Sequence, residues 1–150
     1  MESKQLGVLG ERIASDYLEK RGYQILDKNY SSKWVSGPLR GEIDIIAKPR
    51  RNVFDILRGE KDDSIHFIEV KTLIAEQSKS YGFLPEEKVN FQKQRKLIKI
   101  AQDWLSEKKI PLESKWQIDV MAIKIDLESK KAKIRHIQNA VEGWLYFFLC

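Results

Sequence analysis

The sequence predicts an α/β protein: a mixed β-sheet flanked by helices, in the order α-β-β-β-α-β-β, over residues 1–150 as one domain. Three observations predict it. Two long segments carry apolar residues at helical spacing, several short segments alternate or run apolar like strands, and no internal repeat or low-complexity stretch interrupts them. A chain of this length buries roughly 70% of its unfolded surface and needs no metal or disulfide staple to fold.

From Lys4 to Arg21, Leu6, Leu9, Ile13, Ala14, Tyr17 and Leu18 lie on one helical stripe, and Gly22 supplies a stop. Tyr23 to Tyr30 alternates loosely and reads as the first strand. Ser31 to Arg40 holds Gly37-Pro38, a loop. Gly41 to Lys48 reads as the second strand, ended by Pro49. Arg50 to Asp63 is charged and irregular, with one short turn expected at Val53 to Leu57. Ser64 to Leu73 is a third strand whose nearly continuous apolar run suits a central position covered on both faces. Glu86 to Lys109 is a long helix stopped near Pro111. Trp116 to Ile125 and Lys131 to Ile137 form a last pair of strands.

Composition excludes some classes. The 27 Lys and Arg against 22 Asp and Glu give a net charge of +5, compatible with a polyanionic partner. One cysteine, Cys150, excludes an intrachain disulfide and a Cys-based metal cluster, and suits a cytoplasmic protein. The first residues lack the apolar core of a secretory signal. The apolar run Trp144 to Cys150 is too short to span a bilayer, so no membrane partner is expected. That run suits docking on the core or on a second copy, which makes a homodimer a reading to keep.

Chemistry is concentrated on two strands. Strand side chains alternate faces, so Glu69 and Lys71 share a face with Phe67, about 6.6 Å apart along the strand. In the second strand Asp44 shares a face with Glu42 and Ile46, while Ile43, Ile45 and Ala47 point the other way. Each central strand thus carries charge where packing prefers an apolar residue, and such charges need partners or a metal. Two carboxylates converging beside one lysine, with no His or Cys cluster, favour a hard cation, Mg²⁺ or Mn²⁺. Glu11 borders the buried stripe of the first helix. Gln94 is the polar member of a stripe with Phe91, Ile98, Ala101 and Leu105 on the long helix.

Asp44 followed by Glu69-x-Lys71 resembles the PD-(D/E)xK nuclease superfamily. More closely, Gly41-Glu42-Ile43-Asp44, Phe67-Ile68-Glu69-Val70-Lys71-Thr72, Gln92-Lys93-Gln94 and Arg135-His136-Ile137-Gln138-Asn139-Ala140, with Gly10-Glu11 and Ile118-Asp119-Val120, resemble the YraN-like family. Those are small bacterial proteins predicted to be endonucleases and related to archaeal Holliday-junction resolvases. The resemblance implies a restriction-endonuclease-like fold and phosphodiester cleavage in DNA, with branched or structured DNA as a substrate class. It implies a metal held by Asp44, Glu69 and the Val70 carbonyl, Lys71 assisting the attacking water, Glu11 as an outer carboxylate and Gln94 on a helix flanking the site. Three departures are visible: a longer Ser31–Arg40 loop, the Arg50–Asp63 insertion, and Leu73 where the family has a basic residue.

Other readings stand beside these. Lys93, Lys96 and Lys99, with Lys88 and Arg95, are either phosphate contacts or a solvated helix face. Asp119, on a strand face with Gln117, Met121 and Ile123, reads as structural. His66 falls opposite Glu69 and reads as packing or surface, and Asn139 as satisfying a turn. Two rival functions remain: a nucleic-acid-binding module that does not cleave, and a structural or protein-interaction domain.

Overall fold

A computed structural model of the protein describes residues 1–37, 40–60, 62–76 and 91–141. Helix α1 (Ser3–Lys20) is followed by β1 (Tyr23–Ser31), β2 (Glu42–Pro49), a short helix α2 (Val53–Leu57) and β3 (Ile65–Ile74). Helix α3 (Phe91–Glu107), β4 (Trp116–Asp126) and β5 (Lys131–Ile137) complete the order. The five strands form one mixed sheet in sequence order, parallel only between β3 and β4. The parallel pair needs a crossover, and α3 lies on it. The expected α/β sheet with flanking helices is therefore what forms. The expected turn at Val53 to Leu57 is a helical turn capped by Asn52, whose side chain accepts from the Asp55 amide at 2.8 Å. The Glu86–Asn90 start of the long helix and the tail Trp144 to Cys150 lie outside the described residues.

The sheet is covered on both faces. On one, Leu97, Ile98, Ala101, Trp104 and Leu105 of α3 pack on Ile46, Phe67 and Ile118. On the other, Ala14 and Leu18 of α1 pack on Ile45, Ala47, Ile68, Met121 and Ile123. Period-two alternation sends Phe67 and Ile68 to opposite layers, which is why β3 reads as a continuous apolar run. Polar contacts fix the tilt of α3. Ser32 donates to Asp103 at 2.6 Å, Trp104 to Asp27 at 3.1 Å, and Tyr30 to Glu107 at 2.7 Å, all joining α3 to β1 or the residue after it.

One strand departs from simple alternation. Ile43 packs with Ile46 on the α3 side instead of with Ile45 and Ala47, which corrects the face expected for it. The cause lies at Asp44. The β2–β3 register runs through Ala47↔His66, Ile46↔Phe67 and Ile45↔Ile68 and goes no further. On the other side, Asn29 lies between the pairs Lys28↔Ile45 and Tyr30↔Ile43, with φ +48°. Asn is among the few residues that adopt this left-handed conformation readily. This left-handed residue sits opposite Asp44, at the point where β2 leaves β3.

Helix α1 approaches β3 closely at Gly10, where an added Cβ would lie 1.8 Å from Thr72 Oγ1 and 2.9 Å from Thr72 Cβ. Only glycine lets the helix seat there. Gly10→Ala is expected to destabilise the fold by about 1–3 kcal/mol, read by urea denaturation, and Thr72→Ala in the same chain should recover part of that loss. An unchanged midpoint for Gly10→Ala would show that α1 is free to shift.

Candidate functional site

The site lies where β2 and β3 part. Continuing their register would set Ile43 opposite Val70, exchanging backbone hydrogen bonds. Instead the Val70 amide donates to Asp44 Oδ2 at 2.6 Å. Strand geometry points the Val70 carbonyl the same way as its amide, toward the gap. Glu69, only 5% exposed, projects on the α3 side beside Phe67, and its Oε1 accepts from Lys71 at 3.0 Å and from Lys93 at 2.7 Å. Glu11 reaches the same end of the sheet from α1. Its Oε2 accepts from Asn29 Nδ2 at 2.9 Å, and the same amide donates to Glu42 Oε1 at 3.2 Å.

These groups border a cavity of about 250 Å³ lined by Asp44, Glu69, Glu42, Arg40, Gly41 and, from α3, Lys93, Lys96, Leu97 and Ile100. Of the residues picked from the sequence, the fold thus brings Asp44, Glu69, Lys71, Lys93 and Lys96 together, with Glu11 at the edge. Gln94 is half-buried on α3 but is not one of the lining residues. Lys99 pairs with Asp103 on its own helix at 2.8 Å. Lys93, expected to contact phosphate or to lie on a solvated helix face, is a direct partner of Glu69. A helical stripe gives a residue's angle around the axis, and the tilt of α3 over the sheet decides which residue reaches the carboxylate.

Charge is crowded here. Burial, then the Glu69 carboxylate and the more distant Glu11, push Asp44 up to about 7, against the Val70 hydrogen bond and Lys71, which act to lower it. Burial works to lower the Lys93 ammonium, but its hydrogen bond to Glu69 prevails and holds it above the ordinary value. The donor set is carboxylate and backbone oxygen, and a divalent cation would relieve the repulsion that raises Asp44. The residues fit a hard metal ion.

A second polar cluster sits on the other face of the sheet, toward the opposite end of β3. Asp119 Oδ2 accepts from His66 Nδ1 at 2.5 Å and His136 Nε2 at 2.8 Å, with the tautomers assigned from these contacts. Its Oδ1 accepts from Gln117 Nε2 at 2.9 Å and the Asn139 amide at 2.8 Å. Burial acts to raise the Asp119 carboxyl, but its hydrogen bonds to His136 and His66 hold it well below the usual carboxylate range. Two imidazoles and a carboxylate within 4.8 Å of one another are a donor set that could hold a metal ion. The four N–H donors already fill both carboxylate oxygens and account for the cluster as a bolt joining β3, β4, β5 and the following turn. Tyr23 of β1 packs edge-on against both rings.

The matching family model, described as "Uncharacterised protein family UPF0102", covers residues 10–123. The chain belongs to the UPF0102 family. A UPF0102 protein of Alkaliphilus metalliredigens is 40% identical over 138 residues, 92% of this chain and 98% of the relative. One from Alkaliphilus oremlandii is 38% identical over the same shares, and one from Clostridium beijerinckii 36% identical over 92% of this chain and 94% of its own length. The resemblance to the YraN-like family thus holds. The UPF0102 model begins at Gly10, the glycine seated on Thr72, and spans both the acidic gap and Asp119.

Two outcomes follow from the electrostatics. Asp44 titrates near 3.8 when unfolded and near 7 when folded, so the stability that its neutral form contributes is lost as pH rises across that window. In urea titrations without added metal, Asp44→Asn should match wild type near pH 4 and become more stable by on the order of 2–4 kcal/mol by pH 8. A constant difference across that range would refute the raised carboxyl. Asp119→Ala, which leaves the buried His66 and three partly buried donors without their acceptor, should cost about 3–5 kcal/mol; a loss below 1 kcal/mol, read as the shift in denaturation midpoint, would show that the bolt carries little.

Proposed function

We propose that this UPF0102 chain is a Mg²⁺- or Mn²⁺-dependent nuclease that hydrolyses phosphodiester bonds in DNA. The observation that carries the reading is the convergence of Asp44 and Glu69, from two parting strands, in one cavity with Lys93, with Lys71 paired to Glu69. Branched or structured DNA is the substrate class taken from the resolvase resemblance. Its place of action is the cytoplasm; among the described residues no helix is long and apolar enough to cross a membrane.

Asp44, Glu69 and the Val70 carbonyl would hold the ion. Such an ion supplies a water of lowered pKa and a counter-charge for a phosphoryl oxygen. The chain's own groups do the rest. The Val70 amide fixes one oxygen of Asp44, which leaves the other directed by that contact. Lys71 is placed by its pair with Glu69, where its ammonium can orient the attacking water and stabilise charge developing on phosphate. Glu11 adds negative charge at the edge and, through Asn29, steadies the turn of β2. Arg40 and Lys96 line the same cavity and offer contacts to flanking phosphates. Leu73 leaves those contacts to helix α3 and to Arg40, two residues before β2.

A specific observation favours a second reading, a nucleic-acid-binding module that does not cleave: Glu69 is already neutralised by two lysines. One experiment separates them. Wild type with Mg²⁺ or Mn²⁺ is incubated with single-stranded, duplex and four-way-junction DNA, and binding is followed in parallel at two salt concentrations. The nuclease reading expects cutting that falls about 100-fold or more in Asp44→Ala and Lys71→Ala. No cutting of any substrate, or equal cutting by the variants, overturns it. Salt-sensitive binding that persists in Asp44→Ala without cutting would establish the module instead.

A further inference from the structure

Glu69 Oε1 receives two ammonium groups, Lys71 at 3.0 Å from the same strand and Lys93 at 2.7 Å from the first turn of α3. A carboxylate oxygen offers about two lone-pair sites, so both of this atom's are engaged. The carboxylate is buried, where an opposing charge acts strongly. A divalent ion approaching the other oxygen, Oε2, must therefore overcome the repulsion of two ammonium groups held on the same carboxylate. The two lysines are not equivalent. Lys71 stands two residues along β3, and its side chain is 25% exposed. Lys93 reaches in from another element across the cavity and is 38% exposed, so it can withdraw by changing rotamer with no movement of the strand.

We infer that Lys93 is a positioning residue that competes with the divalent cation for Glu69 and, when it yields, presents its ammonium to a phosphate of the nucleic acid. The inference rests on the nuclease reading of this site. The cavity supports the second half. Arg40 and Lys96 line it together with Lys93, and three cations around one cavity are satisfied by a polyanion. A phosphate that draws Lys93 away from Glu69 makes the carboxylate available to the ion, and an ion on Glu69 sends Lys93 toward phosphate. Such coupling is reciprocal, so metal and DNA each raise the affinity for the other.

The test is Mn²⁺ titration by calorimetry of wild type, Lys93→Gln, Lys93→Arg and Asp44→Asn, each checked for folding by thermal denaturation, with DNA cleavage measured on the same preparations. Lys93→Gln should bind Mn²⁺ about tenfold more tightly than wild type yet cut DNA more slowly, two effects of opposite sign. Lys93→Arg, which keeps the charge, should bind the ion close to wild type. Asp44→Asn should lose binding. If wild type binds Mn²⁺ and Asp44→Asn does not, but Lys93→Gln binds with unchanged affinity, the role of Lys93 is overturned while the metal site stands. If neither wild type nor Lys93→Gln binds Mn²⁺, the nuclease reading fails and takes this inference with it.

Discussion

The hydrogen bond from the Val70 amide to Asp44 is the contact on which the candidate site depends. It replaces the backbone bond that β2 would have made had it stayed beside β3. A side chain that satisfies a ladder amide lets two central strands separate with no orphaned donor, and a gap opens between them without loss of the sheet. The carboxylates proposed as metal ligands, Asp44 and Glu69, border that gap. The carboxylate that makes the bond is dragged into low dielectric next to Glu69, and the two lysines answer the resulting charge. The left-handed Asn29 on β1 sits opposite Asp44 at this point, and its side chain donates to Glu11 and Glu42.

The two helices hold the gap from opposite faces by different means. Helix α1 sits against β3 at glycine distance, which brings the next residue, Glu11, to the end of the sheet. Helix α3 is held at its C-terminal half by Asp103, Trp104 and Glu107 to β1 and its flank. Its first turn then projects over the carboxylates, and Lys93 falls on Glu69. Gly41 permits the same approach from below, since a Cβ there would meet Ile100 at 2.7 Å and Lys96 at 2.8 Å. Close packing at Gly10 sets where α1 can sit and so where Glu11 meets the sheet.

Much of this was legible in the sequence because it follows from local periodicity. The 3.6-residue stripe of α1, the unbroken apolar run of β3 and the two-residue spacing of Glu69 and Lys71 are properties of single segments. What was not legible depends on two segments at once. The face of Ile43 follows from a left-handed residue on the neighbouring strand, and Asn29 looks like any polar strand residue. The preference for Lys93 over Gln94 follows from the tilt of α3, set by partners some seventy residues away in the chain. The His66–Asp119–His136 cluster joins residues 53 and 17 positions apart. Strand parity put His66 opposite Glu69, but only register placed it beside Asp119. The one signal available was a pair of histidines, the only two in the chain, each in a strand.

Asp119, fully buried, and Asp44, half-buried, show how the fold assigns different tasks to one residue type. Asp119 accepts four N–H groups and sits well below the ordinary carboxylate range; its lone pairs are spent on holding three strands and a turn. Asp44 accepts one backbone amide, faces a second carboxylate, and is raised to about 7. A carboxylate fully supplied with donors has nothing left for a ligand, whereas one that is half-buried, under-donated and repelled gains most from a cation. The number of donors separates them, and it points to the gap between β2 and β3, with Lys93 at its wall, as the place where an ion and a phosphate have the most to gain.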